Sequence, residues 1–109
     1  MKRILLAIVL SCAALAQPQA QNSVQLANVV QGHKLASTMC GECHAVERGR
    51  LTSPNPEAPA FEFVANTPGM NRTALLVFLR TPHRMMPNFV LEPSDADGII
   101  EYILSMRVK

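Results

Sequence analysis

The chain has 109 residues, with ten Lys+Arg against eight Asp+Glu, a formal net charge of +2, 49% hydrophobic and 5% aromatic residues. That length holds one domain at most. The charge is too small for a nucleic-acid binder or for long-range steering of a partner.

The first segment reads as a leader. Lys2 and Arg3 precede an apolar run from Ile4 to Leu10, followed by small residues. This is the order of a secretory signal peptide, and the run is too short to span a bilayer. Cleavage fits after Ala16 or Ala20. The latter is adopted, giving a signal peptide over 1–20 and a domain over 21–109. Loss of Lys2 and Arg3 leaves eight basic and eight acidic residues (10 − 2 = 8 against 8), so the mature chain is neutral. Cys12 reads as a small apolar residue of this leader. Val9-Leu10-Ser11-Cys12 also loosely resembles a lipobox, and a lipid on Cys12 would make Gln17–Ser23 a tether to a membrane surface. Either way the chain is expected to be exported, which in a bacterium places it in the periplasm.

The next element is a helix over 25–39. It lacks proline and carries apolar residues at Leu26, Val29, Val30, Leu35 and Ala36. It leads directly into Cys40-Gly41-Glu42-Cys43-His44. A CxxCH run is the attachment signature of c-type haem. Cysteines three positions apart on a helical turn can reach two vinyl groups of one porphyrin edge, and the following histidine can ligate the iron from one face. Such a haem would also staple a domain of about ninety residues, which is short of apolar surface to bury.

Residues 45–60 form a loop punctuated by Gly49, Pro54, Pro56 and Pro59. Phe61–Asn66 makes one or two helical turns. Asn71 suits the N-cap of a helix running to Arg80, whose nearly all-round apolar content predicts burial on more than one side. Residues 83–92 form a second loop. Pro93 opens the last helix, to Met106, with proline at its first position and Asp95 and Asp97 near its positive end. Ala96, Ile99, Ile100, Ile103 and Leu104 form its apolar stripe. Gly98 costs about 1 kcal/mol against alanine there, which close approach of another element would justify. No segment alternates at period two, so the expected class is all-α.

A haem held by His44 needs a second axial ligand. The candidates are Met39, Met70, Met85, Met86, Met106, His33 and His83. Pro87 pushes the residue before it toward an extended conformation and stiffens the strap, which selects Met86 in the His/Met pattern of cytochromes c. His83 is the runner-up, and His33 is read as a surface residue. Without haem, a dithiol would want a βαβ context, and a zinc site would need ligands beyond Cys40, Cys43 and His44.

With these residues in order, the chain resembles a class I c-type cytochrome, a small bacterial monohaem cytochrome c. Gly32-His33-Lys34-Leu35-Ala36 resembles the family's approach to CxxCH. Ala58-Pro59-Ala60-Phe61 resembles its post-haem proline element, Leu79–His83 with Met86-Pro87 its strap, and Ile99–Ile103 its closing helix. The resemblance implies about four short helices around one covalent haem c, with crossing N- and C-terminal helices and Gly32 near Tyr102. It implies Cys40 and Cys43 as thioether carriers, His44 and Met86 as iron ligands, and a Pro59 carbonyl that orients His44. A periplasmic carrier of single electrons between redox protein partners follows, not an enzyme. The alternatives are a dedicated haem subunit of a dehydrogenase or oxidase, or a gas-binding or peroxidase-like protein with an open sixth position. The chain departs from the family in having no tryptophan for a haem propionate, a role that Arg80, His83 and Arg84 could take locally.

Overall fold

The computed structural model describes residues 17–83 and 85–109, so the leader up to residue 16, including Cys12, and Arg84 lie outside the described residues. Four helices follow one another, α1 (Gln17–Met39), α2 (Phe61–Asn66), α3 (Arg72–Arg80) and α4 (Pro93–Ser105), and no strand occurs among the described residues. The all-α expectation holds.

α4 organises the rest, because α1, α2 and α3 all pack on it. Its buried stripe is Ala96, Gly98, Ile99, Ile100, Tyr102 and Ile103. Pro93 occupies the first helical turn and Asp95 places a carboxylate there, both favourable at the positive end of a helix. Ile99, Ile100 and Met106 are sealed from solvent in the middle of the core.

α1 crosses α4 at a pair of glycines. An ideal Cβ built on Gly32 would lie 1.8 Å from the Gly98 carbonyl oxygen and 2.9 Å from Tyr102 Cβ. On Gly98 it would meet the Asn28 oxygen and the Gly32 nitrogen at 3.3 Å. The two backbones are in contact, which accounts for a glycine inside each helix.

α1 starts eight residues before the expected Gln25. Pro18 falls in its first turn, where proline is tolerated, and glutamine and alanine after it are good helix formers. Residues 19–27 are exposed, so local propensity, not packing, supports this extension. Leu26 and Val30 are also exposed. Of the apolar residues on this helix, Ala36 is buried and Val29 and Leu35 pack against the core.

The short elements are fixed by side chains. The Asn71 Oδ1 accepts the Ala74 backbone N–H at 2.9 Å, capping α3 as its sequence predicts. Arg72, at the start of α3, bridges Asp97 and Glu101 of α4. α2 is clamped from the chain end. The Asn66 Nδ2 donates to the Glu62 carbonyl (2.7 Å) and the Met106 carbonyl (3.3 Å), and its Oδ1 accepts from the Val108 N–H (2.9 Å). Arg107 donates to the Ala65 carbonyl at 3.3 Å and to the Met70 carbonyl.

Candidate functional site

The backbone carries α1 one turn further into the cysteine motif. The Cys40 N–H donates to the Ala36 carbonyl at 2.9 Å, and the Cys40 carbonyl accepts from the N–H groups of Cys43 (3.1 Å) and His44 (2.9 Å). Cys40, Cys43 and His44 therefore share one turn, and all three line a cavity of about 450 Å³.

His44 has its orientation set from outside that turn. Its Nδ1 lies 2.7 Å from the Pro59 carbonyl oxygen. A carbonyl can only accept, so Nδ1 carries the proton and the neutral ring keeps its lone pair on Nε2. The Phe61 ring sits against the imidazole, centroids 5.4 Å apart. Pro59 is in turn held by its neighbours, since the Phe61 N–H donates to the Ala45 carbonyl at 2.9 Å and the Ala45 N–H to Ser53 Oγ at 2.9 Å. The loop over 45–60 is thus folded back onto the motif.

The two thiols differ. Cys40 is buried and Cys43 half-buried. Burial, with the neighbouring Cys43 adding, pushes the Cys40 thiol up to about 11. The thiolate is the nucleophilic form of cysteine, so burial disfavours the reactive form of Cys40 in the closed fold.

The rest of the cavity is apolar. Val64, Leu75, Phe78, Leu79, Phe89 and Ile103 contribute to its lining. Here α3 departs from expectation. The polypeptide buries Leu75 alone in this helix, while Val77 and Phe78 stay more than half exposed. Part of the face that looked buried in the sequence faces the cavity instead.

The residues singled out in the sequence divide cleanly. Cys40, Cys43, His44, Pro59 and Met86 all line this one cavity, together with Met39, Met70, Met85 and His83. Met106 belongs to the core. His33 is directed elsewhere: its Nε2 pairs with Glu47 Oε1 at 2.8 Å and its ring lies 5.0 Å from that of Tyr102. Its side chain is 45% exposed, a surface residue as its position suggests, tied to Glu47 rather than directed at the cavity. Sequence reasoning missed the roles of Phe78, Leu79 and Phe89. Their signal was an excess of apolar residues around the strap that no helical stripe accounts for. Among the described residues no three His, Cys, Asp or Glu side chains come together as a metal-binding group.

The chain is 34% identical over 96 residues to cytochrome c-552 of Bradyrhizobium diazoefficiens, a match that covers 88% of this chain and 91% of that protein. The chain belongs to the small c-type cytochromes. No protein-family model matches the chain, and no solved structure does. As a c-type cytochrome it carries covalently attached haem c with iron and takes part in electron transfer with redox partners. No helix among the described residues is long and apolar enough to cross a membrane.

Proposed function

We propose that this cytochrome is a periplasmic carrier of single electrons, with one haem held in the 450 Å³ cavity by Cys40, Cys43, His44 and Met86. Cys40 and Cys43 would form the two thioethers, and His44 and Met86 the two axial bonds. The bound haem supplies a one-electron Fe(II)/Fe(III) couple.

The residues present fit this group. The cavity wall is largely apolar, as a porphyrin face requires, and the cysteine motif forms part of it. The observation that carries the reading is the His44 imidazole, held by the Pro59 carbonyl in the tautomer that leaves Nε2 free to bind a metal. Met86, half-buried and lining the same cavity, offers a soft sulfur donor, which favours the reduced state and raises the potential.

With His44 and Met86 both bound to the iron, no position would remain for oxygen or peroxide. The chain's own contribution to electron exchange is positional: His44 is fixed by Pro59 and Phe61, and Pro87 restricts the backbone of Met86. Rigid donors keep similar geometry in both oxidation states, which suits transfer without chemistry on a substrate. The leader-like order of residues 1–20 supports export.

Intact mass of the protein exported from a host that matures c-type cytochromes tests this. The expected mass is the polypeptide from residue 21 plus one haem. Polypeptide mass alone, with a control cytochrome maturing in the same cells, would overturn the assignment of Cys40 and Cys43. Rapid carbon monoxide binding by the reduced native protein would overturn Met86 as a ligand.

A further inference from the structure

Arg72 stands where the local rules of a helix would not put it. It is the first residue of α3, and that first turn holds no acidic residue, although the positive end of a helix favours anions and disfavours cations. The reason lies across the fold. Its Nη1 donates to Asp97 Oδ1 at 2.6 Å and its Nη2 to Glu101 Oε1. Asp97 and Glu101 are four positions apart, so they stand one above the other on a single face of α4. Each terminal nitrogen of the guanidinium takes one of them. The other Glu101 oxygen accepts from Gln25 Nε2 of α1 at 3.3 Å, and the Glu101 side chain is only 18% exposed. Among the described residues these are the only ion pairs that join two helices, since the remaining one ties His33 to a loop.

The same face of α3 continues into the cavity. Leu75 follows Arg72 by three positions and Leu79 follows Leu75 by four, so the three share one side of the helix. Leu75, Phe78 and Leu79 line the cavity. Leu75 is the one residue of this helix that the polypeptide fully buries, while Leu76 and Leu79 are partly covered. Apolar burial thus holds α3 on α4 at few points, and its first residue supplies the polar one. An isolated exposed ion pair contributes little to stability. Here one cation closes a network of two carboxylates, one of them largely buried, and what it fixes is position.

We propose that Arg72 is a positioning residue for the haem site: by bridging Asp97 and Glu101 it fixes α3 against α4, and so keeps closed the apolar wall that α3 gives the cavity. This rests on the haem reading above. The effect on the iron is indirect. A closed wall keeps water from the porphyrin face, and water favours the more highly charged Fe(III) state. A wall that loosens therefore lowers the potential.

The test uses three haem-loaded variants, Arg72→Lys, Arg72→Gln and Glu101→Gln, read by potentiometry and by hydrogen exchange at the α3 amides. Lysine keeps the charge but has one nitrogen where the bridge uses two. All three should shift to lower potential and exchange the amides of residues 76–80 several-fold faster than the native holoprotein. Glu101→Gln carries the decision. Removing an anion would raise the potential by direct Coulomb action, so a fall there reads the loosened wall and not the lost charge. If these variants fail to accumulate, Asp97→Asn, which removes half of the bridge at the more exposed carboxylate, should show the same two changes to a smaller extent. A rise in potential in Glu101→Gln overturns the proposal while leaving the haem reading intact. Loss of thermal stability alone, with native potential and native α3 exchange, overturns it too, because Arg72 would then brace the fold and not the site. A native protein without covalent haem removes both.

Discussion

Gly32 and Gly98 face each other across the same crossing, yet their substitution should differ in outcome. A methyl on Gly32 would overlap the Gly98 carbonyl oxygen at 1.8 Å, and that atom belongs to a helix backbone that cannot swing aside. Gly32→Ala is expected to cost about 3 kcal/mol, at the upper end of overpacking penalties. At Gly98 the nearest atoms are 3.3 Å away. A shift of a few tenths of an ångström accommodates the methyl, and the gain in helix propensity, about 1 kcal/mol, offsets the crowding. Gly98→Ala should fall within about 1 kcal/mol of the native protein by that balance. Equilibrium denaturation of both holoproteins checks the contrast, and equal costs would contradict it.

Tyr102 is the residue whose protonation bears on stability. Its hydroxyl donates to the Val46 carbonyl at 2.6 Å. Burial pushes its ionisation up from the ordinary tyrosine value, the Glu47 carboxylate pushes it further, and Arg48 opposes both. A raised value means that the fold favours the neutral, proton-bearing phenol. The contribution is therefore complete below the unfolded tyrosine range, about pH 10, and is lost as pH rises through the higher folded value. Stability measured from pH 8 to pH 11 should decline more steeply in the native holoprotein than in Tyr102→Phe, once the shared alkaline loss is subtracted. A parallel decline in the two would show that this phenol is not linked to folding.

At the scale of elements, α2 has only six residues, too few to persist alone. Its attachment runs through Asn66, which bonds the α2 backbone, the Met106 carbonyl and the Val108 N–H together. Asn66→Ala should destabilise the holoprotein by about 1–2 kcal/mol through the partners it leaves unpaired. It should also speed hydrogen exchange at the Val108 amide. Unchanged exchange there would rule out the clamp.

The elements also show what a sequence can and cannot disclose. α2, α3 and α4 were legible to within a residue because each has a local stop or start: Thr67-Pro68-Gly69, the Asn71 cap, and Pro93. The start of α1 was not: Pro18 is the one local mark there, it falls inside the leader-like segment, and propensity alone carries the helix from it to Gln25. The cysteine motif is contiguous and could be read directly. The cavity wall is assembled from α2, α3, α4 and the strap, so Phe78, Leu79 and Phe89 carry no local sign of sharing it. A core-facing and a cofactor-facing apolar residue look alike until the chain is folded. The pairing of His33 with Glu47 was hidden for the same reason, as fourteen residues separate them.

At the scale of the molecule, the cavity of about 450 Å³ is walled largely by apolar side chains from α2, α3, α4 and the strap. Without haem that wall has nothing to pack against and stays in water, so it adds nothing to the burial that drives folding. A chain this short has little other apolar surface to bury. The polypeptide without haem is therefore expected to be largely unfolded. Cys40→Ala/Cys43→Ala expressed in the same compartment should give a random-coil circular dichroism spectrum and rapid proteolysis. A compact, protease-resistant apoprotein would show that the helices close without their filling.

The crossing of α1 with α4 also sets an order of events in time. α1 ends at Met39, immediately before the cysteine turn, and the helix that locks it begins at Pro93. During synthesis and export the cysteine motif emerges long before its closing partner exists. In that interval Cys40 and Cys43 lie on an open chain; in the folded protein Cys40 is buried and both line the cavity. On the proposed reading, the thioether bonds form on the open chain, and because the polypeptide without haem is expected to be largely unfolded, attachment is what allows the last helix to dock. The order is then fixed by the fold itself, cofactor first and closing helix second.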